Sequence, residues 1–300
     1  LGELDDRMAL QAHLRRWTDR VPTMGTGARV RVRLAESLLE EVDTVAEALQ
    51  ELEKVLSRDR AVAEAHGALL KVVERAYTTV GHNGMVAAEW QIPLTDAARL
   101  LGTYADKRSP EAQMAVCRAK LGTTQDAEGR LEQLEMLGDL LEQTGRLADS
   151  FEVLQDAFLL NPSRVSVRER LERVGLAYEP AELAGLYVRS VGEPEMEPLV
   201  PDLSFRLGEI YADSIQDAEQ AAHWFERALE LDPLKEGGLD RLQGLYHQSE
   251  DYEAEARILL LSIDASATAQ ELAEAQRRLG TLRLEHLNDS DGALEAFEDC

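Results

Sequence analysis

Apolar and small side chains return along the chain in steps of three and four, and the whole set recurs about 36 residues later. The pair Leu-Gly stands at Leu101-Gly102, Leu137-Gly138, Leu207-Gly208 and Leu279-Gly280, with Gly244 midway between the last two. Glu172, after Leu171, fills the missing step and gives the register 102, 138, 172, 208, 244, 280. Ala221, Phe225, Ala228 and Pro233 follow Gly208 at 13, 17, 20 and 25 residues. Ala293, Phe297 and Cys300 follow Gly280, and Ala48, Leu52 and Val55 follow Ala35, at the same first three steps. Gly138 has a form one residue shorter, with Ser150, Leu154, Ala157 and Pro162, and Gly244 shares it through Ala256, Leu260 and Ile263.

Steps of three and four mark one face of an α-helix. A gap of about 12 residues between small positions puts them on two successive antiparallel helices whose axes can approach closely there. Asn161-Pro162 and Asp232-Pro233 end second helices, while Gly145-Arg146 and Ser249-Glu250-Asp251-Tyr252 supply turns inside pairs. The pattern predicts about eight helix pairs, preceded by a helix from about Glu3 to Val21 and a linker at Met24-Gly25-Thr26-Gly27. Segment 61–94 fits least well. A helix from Ala63 to Tyr77 is followed by a break at Gly81-His82-Asn83-Gly84 and by Ile92-Pro93 after a short helical stretch.

These residues resemble the tetratricopeptide repeat family. Over 131–164 the resemblance rests on Leu134, Leu137, Gly138, Leu141, Gly145, Leu154, Ala157 and Pro162. Over 201–234 it rests on Leu207, Gly208, Tyr211, Ala221, Phe225, Ala228 and Pro233. The unit around Glu172 departs from the pattern, with proline joints at Tyr178-Glu179-Pro180 and Glu193-Pro194-Glu195, where a bend is expected. The resemblance implies an all-α fold, a right-handed superhelical solenoid of antiparallel helix pairs. The expected segments are 1–27 (helix and linker), 28–94 (irregular pairs), 95–200 (repeats, the last divergent) and 201–300 (repeats, cut short). The chain begins at Leu1 and ends at Cys300 inside a helical pattern, so it reads as a slice of something longer. Long repeat arrays of large bacterial proteins have a similar composition.

Charge narrows the function. With 32 Lys and Arg against 57 Asp and Glu, the net charge of −25 argues against a nucleic-acid binder and against an anionic membrane surface. A hydrophobic share of 44% is enough to bury a core. No apolar run is long enough to span a membrane; Ile258-Leu259-Leu260-Leu261 is the longest nearby cluster. Candidate chemistry is sparse. Gly25-Thr26-Gly27 lacks the third glycine and the strand of a dinucleotide loop. The six histidines have no second His or Cys at metal-ligand spacing. Asn288-Asp289-Ser290-Asp291-Gly292 resembles part of a calcium loop, but Leu287 stands where the first ligand would be, so it reads as a turn inside a repeat. Cys117 lies in an apolar stretch and is expected to be buried and inert. No catalytic residue, metal or cofactor is expected.

In the resembled family the first helix of each pair lines a concave surface. That implies inward positions at Glu132, Glu135, Asp139, Glu142 and Gln143 around Gly138, and at Asp202, Phe205, Glu209, Ala212 and Asp213 around Gly208. Around Gly280 they are Glu274, Arg277, Thr281, Leu284 and Glu285. The stripe Glu132, Glu135, Asp139, Glu142 repels itself by about a few tenths of a kcal/mol per pair. A basic peptide or helix of a partner protein would relieve it, with Phe205 as apolar anchor. The expected function is a non-catalytic, cytoplasmic protein-interaction scaffold. The alternatives are a regulatory or recruiting arm of a larger enzyme and an RNA-processing helical repeat.

Overall fold

The computed structural model describes residues 2–81, 85–232, 235–265 and 268–299. Among these there are sixteen α-helices and no strand. The helices are α1 (Gly2–Thr18), α2 (Thr26–Leu38), α3 (Val42–Leu56), α4 (Ala63–Tyr77), α5 (Ala88–Tyr104), α6 (Pro110–Thr123), α7 (Ala127–Gln143) and α8 (Leu147–Leu160). They continue as α9 (Val165–Tyr178), α10 (Pro180–Val191), α11 (Val200–Glu209), α12 (Ala218–Leu231), α13 (Gly238–Gln248), α14 (Tyr252–Ala265), α15 (Ala269–Glu285) and α16 (Ser290–Glu298). A 3-10 turn at Pro194–Leu199 leads into α11, and a π-helical turn at Ile210–Ile215 ends it. Parts of three expected features, His82-Asn83-Gly84, Pro233 and Cys300, lie outside the described residues.

The chain forms two compact units, Leu1–Arg170 and Leu171–Cys300. In the first, each helix from α2 to α6 packs on its neighbour and on the helix two before or after it, and α7 pairs with α8. In the second, α11–α12, α13–α14 and α15–α16 are hairpins, each packed on the next through α12–α13 and α14–α15. This is the stacking of a helical-repeat array, in which neighbours cover one another's apolar faces.

Local chemistry explains the boundaries. Ser109, Asp126 and Asp217 cap α6, α7 and α12 by accepting from Ala112, Gly129 and Gln220 N–H, and Thr268 with Glu271 forms a capping box on α15. Pro180 starts α10, where its missing N–H is no loss. The expected close approach of paired helices is present at three glycines, each of which faces a large side chain of the second helix. A Cβ added to Gly138 would lie 2.8 Å from Leu154, one on Gly208 2.6 Å from Phe225, and one on Gly280 2.6 Å from Phe297. The buried Ser150 hydroxyl donates to the Gly138 carbonyl at 2.8 Å, so the polar group at that small position is satisfied.

The two turn lengths have a physical counterpart. In the shorter form the first residue past the turn, Arg146 or Asp251, donates its N–H to the carbonyl five residues back, Leu141 or Tyr246. In the longer form Asp217 and Asp289 reach six residues back, to Tyr211 and Arg283. The residue before each is left-handed: Gly145, Glu250, Gln216 and Asn288, with φ of 75°, 59°, 63° and 53°. Glycine suits that conformation and glutamate does not. Glu250→Gly is expected to stabilise the fold by about 1 kcal/mol, read as a raised thermal midpoint.

Three expectations are corrected. Segment 61–124 holds three helices where two pairs were expected. The second helix of one pair and the first of the next are one helix, α5, which runs through Pro93. Pro93 removes one backbone bond near the start of α5. Trp90, Leu94, Ala97 and Leu101 still bury one continuous face, and that burial holds the helix together. The glycine register also slips. Gly102 and Gly244 are exposed, with open space where a Cβ would stand. In α13 the packed position is Leu242, fully buried, followed at 12 and 16 residues by buried Ala254 and Ile258. Ala256 is accordingly half-buried and Leu260 exposed. The slip follows from the neighbouring core, where Leu242 enters the cluster of Ala221, Phe225, Leu229 and Ile258. The helix before Val21 is shorter than expected and ends at Thr18.

Candidate functional site

The acidic stripe lies on α7. Glu132 is exposed, Asp139 and Glu142 are half-buried, and Glu135 is buried at 9% exposure. The expected mutual repulsion is met from inside the chain. Arg164 Nε stands 2.6 Å from Glu135 Oε1, and Arg170 Nη1 stands 2.7 Å from Glu135 Oε2. Arg170 Nη2 also reaches Asp139 at 3.2 Å, and Arg164 Nη1 reaches Glu128 at 2.5 Å. The Ser166 hydroxyl donates to Glu135 at 3.4 Å. The Glu128 hydrogen bond, with the field of Glu135 and Glu132, holds the Arg164 guanidinium above its usual range. A carboxylate as buried as Glu135 needs such partners.

The second unit repeats the arrangement around α11. Asp202 pairs with Lys235, and the Lys235 ammonium sits 5.8 Å from the Phe205 ring centre. Phe205 packs edge-on against Phe225 at 5.3 Å, so the expected anchor is already half engaged with the core. Glu209 pairs with Arg206 and approaches Arg241 at 4.0 Å, and Arg241 pairs with Asp213. Arg206 reaches back to Glu172 at 2.5 Å, which explains the glutamate at that register: its carboxylate holds a guanidinium and the Tyr187 hydroxyl. Burial works against the Arg206 charge, but hydrogen bonding to Glu172 and the nearby carboxylates raise its pKa.

The cations Arg164, Arg170, Lys235 and Arg241 were not recognised from sequence as part of these surfaces. A signal for them exists. Glu128 and Arg164 are 36 residues apart, Glu135 and Arg170 are 35, Glu172 and Arg206 are 34, and Asp202 and Lys235 are 33. Glu36 and Lys71, on α2 and α4, are also 35 apart. An acid followed one repeat later by a base marks a pair between one first helix and the next or the residues that lead into it. Among the described residues no group of three or more His, Cys, Asp or Glu is arranged to hold a metal, and no helix is long and apolar enough to cross a membrane. Cys117 is a free, buried thiol, and burial pushes its pKa up.

The family model described as Tetratricopeptide repeat matches residues 201–233, the span of α11, its π-helical turn and α12. No curated protein matches the chain in sequence. Among solved structures, Pseudomonas aeruginosa pilF is 18% identical, with 83% of this chain and 96% of that chain covered at a TM-score of 0.32. The human IFIT1 dimer with PPP-AAAA is 14% identical, with 100% of this chain and 78% of that chain covered at a TM-score of 0.26. Scores this low bear on neither ligand nor partner.

Proposed function

From the tetratricopeptide repeat match over residues 201–233, we propose that the protein is a non-catalytic scaffold that holds a partner protein. The repeat itself carries this reading. Stacked hairpins set their first helices side by side, and the outward row of side chains on those helices is a ready binding surface. A basic peptide or helix is the proposed partner. In the first unit it meets Glu132, Glu135, Asp139 and Glu142, and in the second Asp202, Phe205, Glu209 and Asp213. A carboxylate has about four lone-pair sites, so an acid already held by Arg170 or Arg241 still accepts a donor from outside. The internal pairs hold the acids in place beforehand, which lowers the ordering cost of binding. The net charge of −25 steers a basic partner toward the chain at low salt. No cofactor, metal or nucleic acid enters this reading. The proposed compartment is the cytoplasm, where a free thiol such as Cys117 stays reduced.

Glu132 is the residue for the test, because it is exposed and is not itself a member of the Glu135 ion pairs. With a partner recovered by pull-down, Glu132→Lys is expected to weaken binding by about two- to fivefold at low salt, and by less as salt is added. Equal affinity for the variant and the parent at low salt removes the acidic surface from the proposal.

A further inference from the structure

A cleft of about 460 Å³ opens between α13 and α15 in the second unit. The size suits a side chain or small ligand. Gly244 and Thr281 line it from opposite helices, with His247, Gln243 and Asp240 on α13 and Glu285 on α15. Gly244 is a mid-helix glycine that packing does not require, since a Cβ there meets nothing within 4 Å. Glycine weakens a helix interior, and it is suited to close approach of a ligand to the backbone.

The hydrogen bonds fix what the cleft offers. Glu255 of α14 lies at its floor, 4% exposed. Its carboxylate accepts from Gln243 Nε2 at 3.3 Å and lies 3.0 Å from His247 Nδ1. The His247 ring thus lines the cleft with its Nδ1 turned to Glu255. Gln243 keeps its carbonyl oxygen as an acceptor. The Thr281 hydroxyl gives its proton to the Arg277 carbonyl at 3.0 Å and keeps its lone pairs. Asp240 and Glu285 add two carboxylates. The two guanidinium groups present, Arg277 and Arg278, both bind Glu274 on their own helix, at 2.8 and 2.9 Å. Carboxylates therefore outnumber them around the cleft, and the other titratable group, His286, is stacked on Tyr252 at 3.9 Å.

We propose that this cleft receives an arginine side chain from a basic partner segment. This rests on the basic-partner reading above and adds a specific pocket. A guanidinium brings five donors in one plane, which matches a wall of acceptors and carboxylates.

The probe is a fluorescently labelled acetyl-Gly-Arg-Gly-Arg-Gly-amide, titrated against the whole chain by anisotropy. Gly244→Leu puts a side chain into the cleft and favours the helix, so loss of binding with an unchanged or raised thermal midpoint reports filling of the cleft. It is expected to weaken binding at least about tenfold near pH 7.5. If Gly244→Leu binds as the parent does while Glu132→Lys weakens binding, the cleft is overturned and the acidic surface stands. If the parent binds no probe near pH 7.5, both are overturned.

Discussion

Truncating Phe225 to alanine is expected to cost the second unit about 3–5 kcal/mol. The ring has no solvent exposure. It lies against the bare backbone of Gly208, meets Phe205 edge-on at 5.3 Å and shares a cluster with Ala221, Leu229, Leu242 and Ile258. Its removal leaves a cavity between helices of two successive hairpins. Because stabilities of domains this size are about 5–15 kcal/mol, the loss is a large share of what holds the unit together. Urea unfolding followed by helical circular dichroism reads it as a lowered midpoint. The complementary change is Gly208→Ala, which drives a methyl to within 2.6 Å of the same ring. Overpacking costs about 1–3 kcal/mol, partly offset by about 1 kcal/mol of helix propensity. At Gly280 the geometry is the same, but Phe297 is 41% exposed and can swing outward. Gly280→Ala is therefore expected to be close to neutral. Equal losses at the two glycines would show that ring burial is not what decides the cost.

Reversing Glu135 to lysine is expected to destabilise the first unit by about 3 kcal/mol. The Glu135 side chain is 12% exposed, and Arg164 and Arg170 converge on its two oxygens. Lysine would set three cations together in a poorly solvated site. Arg164 retains Glu128 and Arg170 retains Asp139, which keeps the loss from being larger. Glu135→Gln, which removes the charge but keeps an acceptor, is expected to cost about 1–2 kcal/mol. The charge swap Glu135→Arg with Arg170→Glu is expected to recover part of the loss relative to Glu135→Lys. Thermal melts of the variants at low and high salt measure all of this, with the penalty for lysine shrinking as salt screens the repulsion. A lysine variant as stable as the parent would remove the structural role assigned to the pair. The same pair explains why charge reversal at Glu135 cannot test partner binding: it disturbs the fold and the surface together, whereas Glu132 separates them.

Much of the architecture was legible in the residues. Helix pairs, their turns and the close approach of helices at Gly138 and Gly208 follow from steps of three, four and about 12 residues. Such steps are local, and helical geometry converts them directly into one face. Caps such as Asp126 and Asp217, which the structure shows, act over the same short range. Less of the candidate surface was legible. The acids on α7 were placed on one stripe, but the Arg164 and Arg170 side chains that neutralise Glu135 come from one repeat further on. Which carboxylate meets which guanidinium depends on how two helices are rotated and offset when they stack. A sequence period of 33 to 36 residues allows that meeting without fixing it.

By itself the sequence determined that the chain folds as helices in pairs, because turn residues and apolar periodicity act within a few residues of one another. Only the tertiary structure decided that α5 runs through Pro93, that Leu242 and not Gly244 faces the core, and that the acids are already paired. Each of those outcomes is set by what lies across an interface. The burial of Trp90 and Leu94 outweighs one lost backbone bond, and the space beside Phe225 selects the rotation of α13. Two helices must first be packed before charges a repeat apart can meet.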